Sequence, residues 1–311
     1  MISQTFQFPF EIPLIEWLQQ IVTSHPLLMT LFSALTEIGD ATFAVIIIGF
    51  LYWSYDKECA IHTAFDLIGS LVFNSMIKNV FVRRRPYFDN PTVSCLKPVS
   101  DSYDIYDIAG QGFSFPSGHA ADTASMTTSL SLFYQHKKIL IIGSILVFLV
   151  CLSRIVLGVH YPTDVLVGAM LGVLCSLLID RILKTIGKTK TYLILLLIGS
   201  AGFFFCKSND YYSSYGLLCG FVTGNLFEER YVSFKNTRNM LKMILRVIIG
   251  GILFLLIAQR LKSVANITLL EGDGILPHLF RVFRYALASF IVSGLYPYLF
   301  RYDILKLNDR M

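Results

Sequence analysis

The chain has 311 residues, of which 54% are hydrophobic and 15% charged, and its mean hydropathy is +0.61. Soluble domains usually carry about 25% charged residues, so this chain lacks the polar surface that a water-soluble globule needs. Ten Pro and six Cys exclude collagen-like and disulfide-scaffold proteins, and a net charge of +5 is too small to indicate a nucleic-acid partner. The composition therefore predicts an integral membrane protein.

Apolar stretches of helical length recur along the chain. A helix needs about 20 residues to cross a bilayer, and nine stretches approach that length: 41–55, 59–81, 117–134, 139–157, 164–182, 191–206, 214–228, 239–258 and 279–300. The apolar stretch 26–36 is too short to cross, so we expect an interfacial or re-entrant segment over 1–35. Asp40 is expected to cap the first predicted span. The predicted fold is an all-α, polytopic transmembrane helical bundle with about nine spans.

Two polar segments organise the predicted spans. The basic run 181–190 separates a first block of five spans from a second block of four, and the longest polar connection is 86–115. Alternation of the spans places the basic run and the larger share of Lys and Arg on one side, which the inside-positive bias makes cytoplasmic. Arg83 and Arg84 fall on the opposite side, where we expect them to anchor the helix end or contact lipid headgroups. We expect the plasma or cytoplasmic membrane as the location.

Three polar clusters stand at predicted helix ends on the extracytoplasmic side. The first is 78–86 (KNVFVRRRP), the second is 116–119 (PSGH), and the third is 153–164 (SRIVLGVHYPTD). Each of them begins or ends a predicted span. Because the spans alternate in direction, all three clusters are predicted to meet at one membrane surface.

The cations and the small residues of these clusters suit a phosphate group. Lys78 offers a point charge, while Arg85 and Arg154 offer planar forks that can grip phosphate oxygens with two hydrogen bonds. Ser117 and Gly118 lie where a helix begins, with free backbone N–H groups and the positive end of the helix dipole. The pattern predicts a phosphate site.

Two histidines add chemistry that cations alone cannot supply. His160 and Asp164 are four residues apart, so one helical turn stacks them. The carboxylate can accept a hydrogen bond from one ring nitrogen, which fixes the tautomer and leaves the other nitrogen free as a nucleophile. His119 then serves as the general acid for the leaving oxygen and as the base that activates water.

In this order the three motifs resemble the type 2 phosphatidic acid phosphatase superfamily, which includes lipid phosphate phosphatases and the vanadium haloperoxidases. The resemblance implies His160 as nucleophile, Asp164 as its orienting partner and His119 as acid and base. It also implies a mechanism without a metal or cofactor. The matching positions are Lys78, Arg85, Pro86, Pro116, Ser117, Gly118, His119, Ser153, Arg154, His160 and Asp164. Of these, the implied phosphate ligands are Lys78, Arg85, Ser117, Gly118 and Arg154.

We therefore predict a catalytic core over 36–185, preceded by the 1–35 segment and followed by a transmembrane extension over 186–311 of unassigned role. The expected substrate is a lipid phosphomonoester or diphosphate, with membrane lipids as the surroundings and no obligate protein partner. A phosphatase for soluble sugar phosphates, as in glucose-6-phosphatase, is the alternative. A non-catalytic lipid-phosphate binder or a transporter is a third hypothesis, which the presence of both histidines and the aspartate disfavours.

Overall fold

The computed structural model describes residues 6–100, 102–264 and 274–301, and these residues form helices and connections without a β-strand. The all-α prediction is confirmed. The helices are, in chain order, α1 Glu11–Thr23, α2 Pro26–Ile38, α3 Ala41–Phe50, α4 Lys57–Phe81, α5 Pro86–Asp89, α6 Ile108–Gln111, α7 Gly118–Tyr134, α8 Lys137–Val156, α9 Pro162–Ile186, α10 Lys188–Ser200, α11 Asn209–Phe227, α12 Met240–Val264 and α13 Ile275–Phe290.

Five of the described helical segments are long and apolar enough to cross a membrane: Lys57–Asp89, Lys137–Val156, Pro162–Ile186, Met240–Leu261 and Ile275–Phe300. The pair α1 and α2 would raise the number to six, and a bend of 118° between these helices is the geometry of a broken span or a re-entrant segment. Helices also form at the other four predicted stretches, but they fall short in length or hydropathy. The protein is therefore polytopic, and the count of nine stays a prediction.

Some predictions concern residues that are not described. Residues 1–5 of the predicted N-terminal segment lie outside the described residues, as do 265–273 and 302–311 of the predicted C-terminal extension. One residue of the long polar connection, Asp101, is also outside them.

The predicted helix cap at Asp40 is confirmed, because the Thr42 backbone N–H donates to Oδ1 of Asp40 at 2.7 Å.

The chain divides into two compact units, one formed by Met1–Ala44 with Phe73–Leu178 and the other by Val45–Val72 with Ile179–Met311. In the first unit, α7 and α9 approach at backbone distance. A Cβ built on Gly168 would lie 2.4 Å from the carbonyl oxygen of Ser117, and one on Gly172 would lie 2.1 Å from that of Ala121. Because no larger residue fits there, these glycines determine where the start of α7 lies against α9.

The connection between α8 and α9 belongs to the apolar core of the first unit. Leu157, Val159 and Tyr161 are fully buried in one cluster with Ile15 of α1. Burial of a side chain of this size contributes about 1.5–3 kcal/mol. His160 therefore sits on a segment that its two neighbours hold in place.

In the second unit, α11 and α13 pack through a row of glycines. A Cβ on Gly216 would lie 2.5 Å from the carbonyl oxygen of Val282, and one on Gly220 would lie 2.1 Å from that of Ala286. Small residues at every fourth position let two membrane helices approach closely. Here the row joins two helices of the predicted extension.

Candidate active site

The first unit assembles its polar side chains from the ends of four helices. Lys78 lies in the last turn of α4, Arg154 in the last turn of α8, and Asp164 in the first turn of α9. Ser117 is the residue before α7, and its backbone N–H donates to the carbonyl oxygen of Asp164 at 2.9 Å. His160 lies between α8 and α9. The predicted site residues thus come together although the chain separates them widely.

His160 lies between an aspartate and an arginine. Its Nδ1 is 3.4 Å from Oδ2 of Asp164, and its Nε2 is 3.3 Å from Nη1 of Arg85. A guanidinium can only donate, so Nε2 is the accepting nitrogen and the ring proton resides on Nδ1, facing the carboxylate. The separation of 3.4 Å exceeds the usual N–H···O range of about 2.7–3.2 Å. Catalytic hydrogen bonds often start long and shorten when the reactive complex forms.

The protonation state of His160 follows from its surroundings. The side chain is 2% exposed. Burial, followed by the positive charges of Arg85 and Arg154, lowers the pKa of His160 well below its usual value of 6.5. The imidazole is therefore neutral at neutral pH, which is the state that a nucleophile requires.

Asp164 is fully buried, and several donors fix its carboxylate. Oδ2 accepts from the Tyr161 backbone N–H at 2.8 Å and from the Ser114 hydroxyl, while Oδ1 accepts from Nη1 of Arg83 at 2.6 Å. Oδ2 is also the oxygen nearest to His160. The donors determine the direction from which the carboxylate meets the imidazole ring.

The buried donor atoms around the site that have no hydrogen-bond partner among the described residues include Nε and Nη2 of Arg154 and Oγ of Ser117. The remaining Nη1 of Arg154 donates to Oγ1 of Thr36 at 2.5 Å, which holds the guanidinium in one orientation. Buried polar groups are almost always paired in folded proteins. Unpaired donors of this kind suit an anion such as a phosphate group.

Lys78 and Arg85 are already bound to backbone carbonyl groups. Nζ of Lys78 donates to Phe113 at 2.8 Å. Arg85 donates to Gln111 through Nε at 2.9 Å and Nη2 at 2.6 Å, and to Val159 through Nη1 at 2.8 Å. These contacts orient both cations before any substrate arrives.

Gly118 and His119 open α7. A Cβ built on Gly118 would approach only Oδ1 of Asn74, at 3.9 Å, so its backbone is accessible to a ligand. The His119 side chain is 20% exposed, and its Nε2 lies 3.9 Å from Oδ2 of Asp40. Of the two histidines it is the one that solvent and a leaving group can reach.

The structure corrects the prediction for Arg83, which is not a membrane anchor. Its side chain is 0% exposed and forms ion pairs with Asp164 and with Glu11 of α1, each at 2.6 Å. Arg84 is partly exposed and pairs with Asp89. A single acidic residue in the apolar sequence FPFEIP was the available signal for Glu11. Ser114, which binds Asp164, carried no such signal.

Similarity to known proteins agrees with this arrangement. Residues 60–188 match the PAP2 superfamily, and residues 212–308 match the PAP2 superfamily phosphatase, transmembrane extension. Phosphatidylglycerophosphatase B of Bacillus subtilis is 30% identical over 177 residues, which are 51% of this chain and 77% of that protein. The chain belongs to the PAP2 superfamily. It is a multi-pass membrane phosphatase, and the first PAP2 match contains every predicted site residue.

Another relative is named for a different compound. Undecaprenyl-diphosphatase of Sulfolobus acidocaldarius is 32% identical over 43% of this chain and 60% of its own length. A crystal structure of Aquifex aeolicus LpxE aligns with 57% of this chain and 98% of its own, at 26% identity and a TM-score of 0.46. A group of three or more His, Cys, Asp or Glu able to hold a metal ion does not occur among the described residues.

Proposed function

We propose that the protein hydrolyses a lipid phosphomonoester or diphosphate through a phosphohistidine at His160, without a metal ion. The observation that carries this proposal is a buried imidazole between Asp164 and Arg85, with Arg154 close enough for its charge to act on the ring, while Arg154 and Ser117 keep unpaired donors. A nucleophile and an anion site are thereby adjacent. Relatives named for phosphatidylglycerophosphate, undecaprenyl diphosphate and lipid A support a lipid substrate.

In the first step, Nε2 of His160 attacks phosphorus and the bond to the leaving oxygen breaks. His119, which is protonated when the negatively charged phosphate is bound, gives its proton to that oxygen. The phosphorylated ring keeps its Nδ1 proton and carries a positive charge. The Asp164 carboxylate accepts a hydrogen bond from Nδ1 and stabilises this charge.

In the second step, neutral His119 takes a proton from water as the water oxygen attacks phosphorus. The bond between phosphorus and Nε2 breaks, and its electron pair returns to the ring of His160. Inorganic phosphate leaves, and both histidines regain their starting states.

The phosphoryl oxygens are held by side chains and backbone groups of the three motifs. Arg154 and Ser117 direct unpaired donors to them, while the backbone N–H groups at Gly118 add the positive end of α7. Lys78 and Arg85 neutralise the charge that develops on the equatorial oxygens. Helix ends at one membrane surface would let a lipid phosphate reach the site while its chains stay in the bilayer.

The location and the division of the chain remain part of the proposal. We place the site on the extracytoplasmic side of the plasma or cytoplasmic membrane, with residues 36–185 as the catalytic core and 186–311 as an extension. Ser94 lies in the long connection on the site side and is exposed. A Ser94→Cys variant should react with an impermeant thiol reagent on intact cells, beyond the background of the wild type. Labelling only after lysis would reverse the orientation.

The mechanism is tested by phosphate release from a panel of lipid and sugar phosphates in the presence of EDTA. We expect the wild type to retain its activity on at least one lipid phosphate, and His160→Ala to lose it. His25→Asn is the matched control, because His25 is an exposed histidine of the same unit. Activity of His160→Ala, or loss of wild-type activity in EDTA, would overturn the mechanism. A preference for glucose 6-phosphate would overturn the substrate class.

A further inference from the structure

A buried row of charges continues from His160 to the N-terminal helix. Behind Asp164 lies Arg83, which donates to Oδ1 of Asp164 and to Oε2 of Glu11, at 2.6 Å in each case. Thr163 closes a ring: its hydroxyl accepts from Nη1 of Arg83 at 2.8 Å and donates to Oε1 of Glu11 at 2.5 Å. We name Glu11, Arg83 and Asp164 the carboxylate–arginine chain.

We propose that Glu11 and Arg83 are positioning residues for the reaction, acting on His160 through Asp164; this rests on the proposed phosphohistidine mechanism. Neither residue touches the phosphate in this scheme. Arg83 determines the orientation of the Asp164 carboxylate, and Glu11 determines how much of the Arg83 charge that carboxylate experiences. Neither residue is among the matching positions of the three motifs.

The two oxygens of Asp164 have different partners, and this determines the orientation of the carboxylate. Arg83 binds Oδ1, so Oδ2 is the oxygen directed to His160. The Arg83 guanidinium is held in place by cation–π contacts with two rings, since its carbon lies 3.7 Å from the ring centre of Tyr161 and 4.2 Å from that of Phe6. A planar fork can bridge two carboxylates in this way, whereas a lysine ammonium on a flexible stem cannot.

The charge balance gives Glu11 its role. Arg83 alone would neutralise Asp164 and weaken the support that this carboxylate gives to the positively charged phosphohistidine ring. With Glu11 present, the carboxylate–arginine chain has two negative groups and one positive group, all fully buried. A net negative charge therefore remains behind His160, in buried surroundings where charges interact more strongly than at the surface.

Each oxygen of Glu11 accepts from two donors, which distinguishes the ring from a chance ion pair. The second Glu11 oxygen, Oε1, accepts from both the backbone N–H and the hydroxyl of Thr163. Oε2 accepts from the backbone N–H of Phe8 at 2.8 Å as well as from Arg83. Thr163 immediately precedes Asp164, so α1 is bonded directly to the first turn of α9, on which the catalytic carboxylate sits.

Five variants of the whole chain test the proposal, the fifth being Glu11→Asp. Glu11→Gln removes the charge and keeps the shape, and Arg83→Lys keeps the charge and removes the fork. Glu16→Gln, on the same helix, and Arg84→Lys, in the same arginine cluster, are the matched controls. For each variant we would measure kcat, KM, the melting temperature, and the fraction of enzyme trapped as phosphohistidine during turnover.

We expect Glu11→Gln and Arg83→Lys to lower kcat by about 10- to 100-fold, the range found when the hydrogen-bond partner behind a metal-binding histidine is removed. KM should change by less than about twofold, because the phosphate ligands are intact, and the trapped phosphohistidine fraction should fall. Glu11→Asp, which restores the charge, should recover part of kcat. The two controls should match the wild type.

A purely structural role gives a different result. It would lower the melting temperature and the yield of folded enzyme but leave kcat per folded molecule and the phosphohistidine fraction at wild-type values. That outcome would overturn the proposal while His160→Ala stays inactive. If His160→Ala is itself active, the mechanism fails first, so the two failures can be told apart.

Discussion

Nη1 of Arg85 lies 3.3 Å from Nε2 of His160, the nitrogen that attacks phosphorus in the proposed mechanism. The same guanidinium donates hydrogen bonds to the backbone carbonyl groups of Gln111 and Val159. The cation therefore stands beside the nucleophile before substrate binds. A phosphoryl oxygen paired with Arg85 is brought next to the attacking nitrogen.

Arg85→Lys should lower kcat/KM by about 10²- to 10³-fold, comparable to the loss of one oxyanion donor. Lysine keeps the charge but cannot bind Gln111 and Val159 through a rigid fork. Steady-state kinetics on the preferred lipid phosphate would measure the effect, with Arg84→Lys as the control. Equal kcat/KM values for the two variants would contradict this role of Arg85.

Asp164→Asn should lower kcat by a factor on the order of 10⁴, by analogy with the aspartate of a catalytic triad. The amide removes the negative charge that holds the proton on Nδ1 and supports the phosphorylated ring. Single-turnover phosphate release measures the loss. A kcat within tenfold of the wild type would show that His160 reacts without this partner.

Lys78→Ala should raise KM and lower kcat together. The ammonium group meets a phosphate that is negatively charged in both the bound substrate and the transition state, so it contributes to binding and to the chemical step. Measurement of both constants over a wide range of substrate concentration separates the effects. An unchanged KM would argue against Lys78 as a ligand of the bound substrate.

Acid should destabilise the protein through His160. The pKa of this buried imidazole lies below that of the unfolded chain, near 6.5, so the unfolded state takes up the proton first as the pH falls. The contribution of the neutral His160 to the free energy of unfolding is fully present above about pH 6.5. It is lost as the pH falls from there toward the pKa of His160 in the folded protein. Each pH unit corresponds to about 1.4 kcal/mol, which gives at most about 2 kcal/mol at pH 5.

Thermal unfolding of the wild type and of His160→Gln between pH 8 and pH 5 tests this dependence. The wild type should lose stability relative to the variant below about pH 6.5, because the variant has no ring to protonate. A constant difference in melting temperature across the range would mean that His160 takes up no additional proton on unfolding.

Gly168→Ala should impair both stability and activity, because its new methyl group would lie 2.4 Å from the carbonyl oxygen of Ser117. Overpacking of this kind costs about 1–3 kcal/mol, and the shift of Ser117 would disturb the phosphate site. Gly251→Ala is the control, since nothing within 4 Å opposes a Cβ there. It should be neutral or slightly stabilising, as alanine favours helix. Similar melting temperatures for the two variants would contradict the close packing of α7 on α9.

The sequence was sufficient for the class of fold and for the position of the motifs at helix ends. Long apolar stretches leave helices as the solution in a bilayer, and residues such as Ser117 mark where a helix begins. The spacing of His160 and Asp164 already placed them on neighbouring turns. The number of spans was less predictable, because short helices such as α3 and α10 do not show from hydropathy alone whether they cross.

The surroundings of Asp164 could not be predicted, because they depend on residues remote in the chain. Glu11 and Arg83 are 72 positions apart. Arg83 and Arg84 are adjacent in a uniform cluster, yet the first side chain is fully buried and the second is 23% exposed. The residue types in the sequence do not distinguish these two arginines, since their different exposure arises from where α1 packs.

The bond between α1 and α9 has a consequence for where the functional protein can be shortened. Cutting the chain before residue 36 would leave every motif intact, but it would strip Glu11 from Arg83 and Phe6 from the face of its guanidinium. A buried arginine would then compete with the imidazole for a single carboxylate. We therefore expect the smallest active fragment to include α1 as well as residues 36–185.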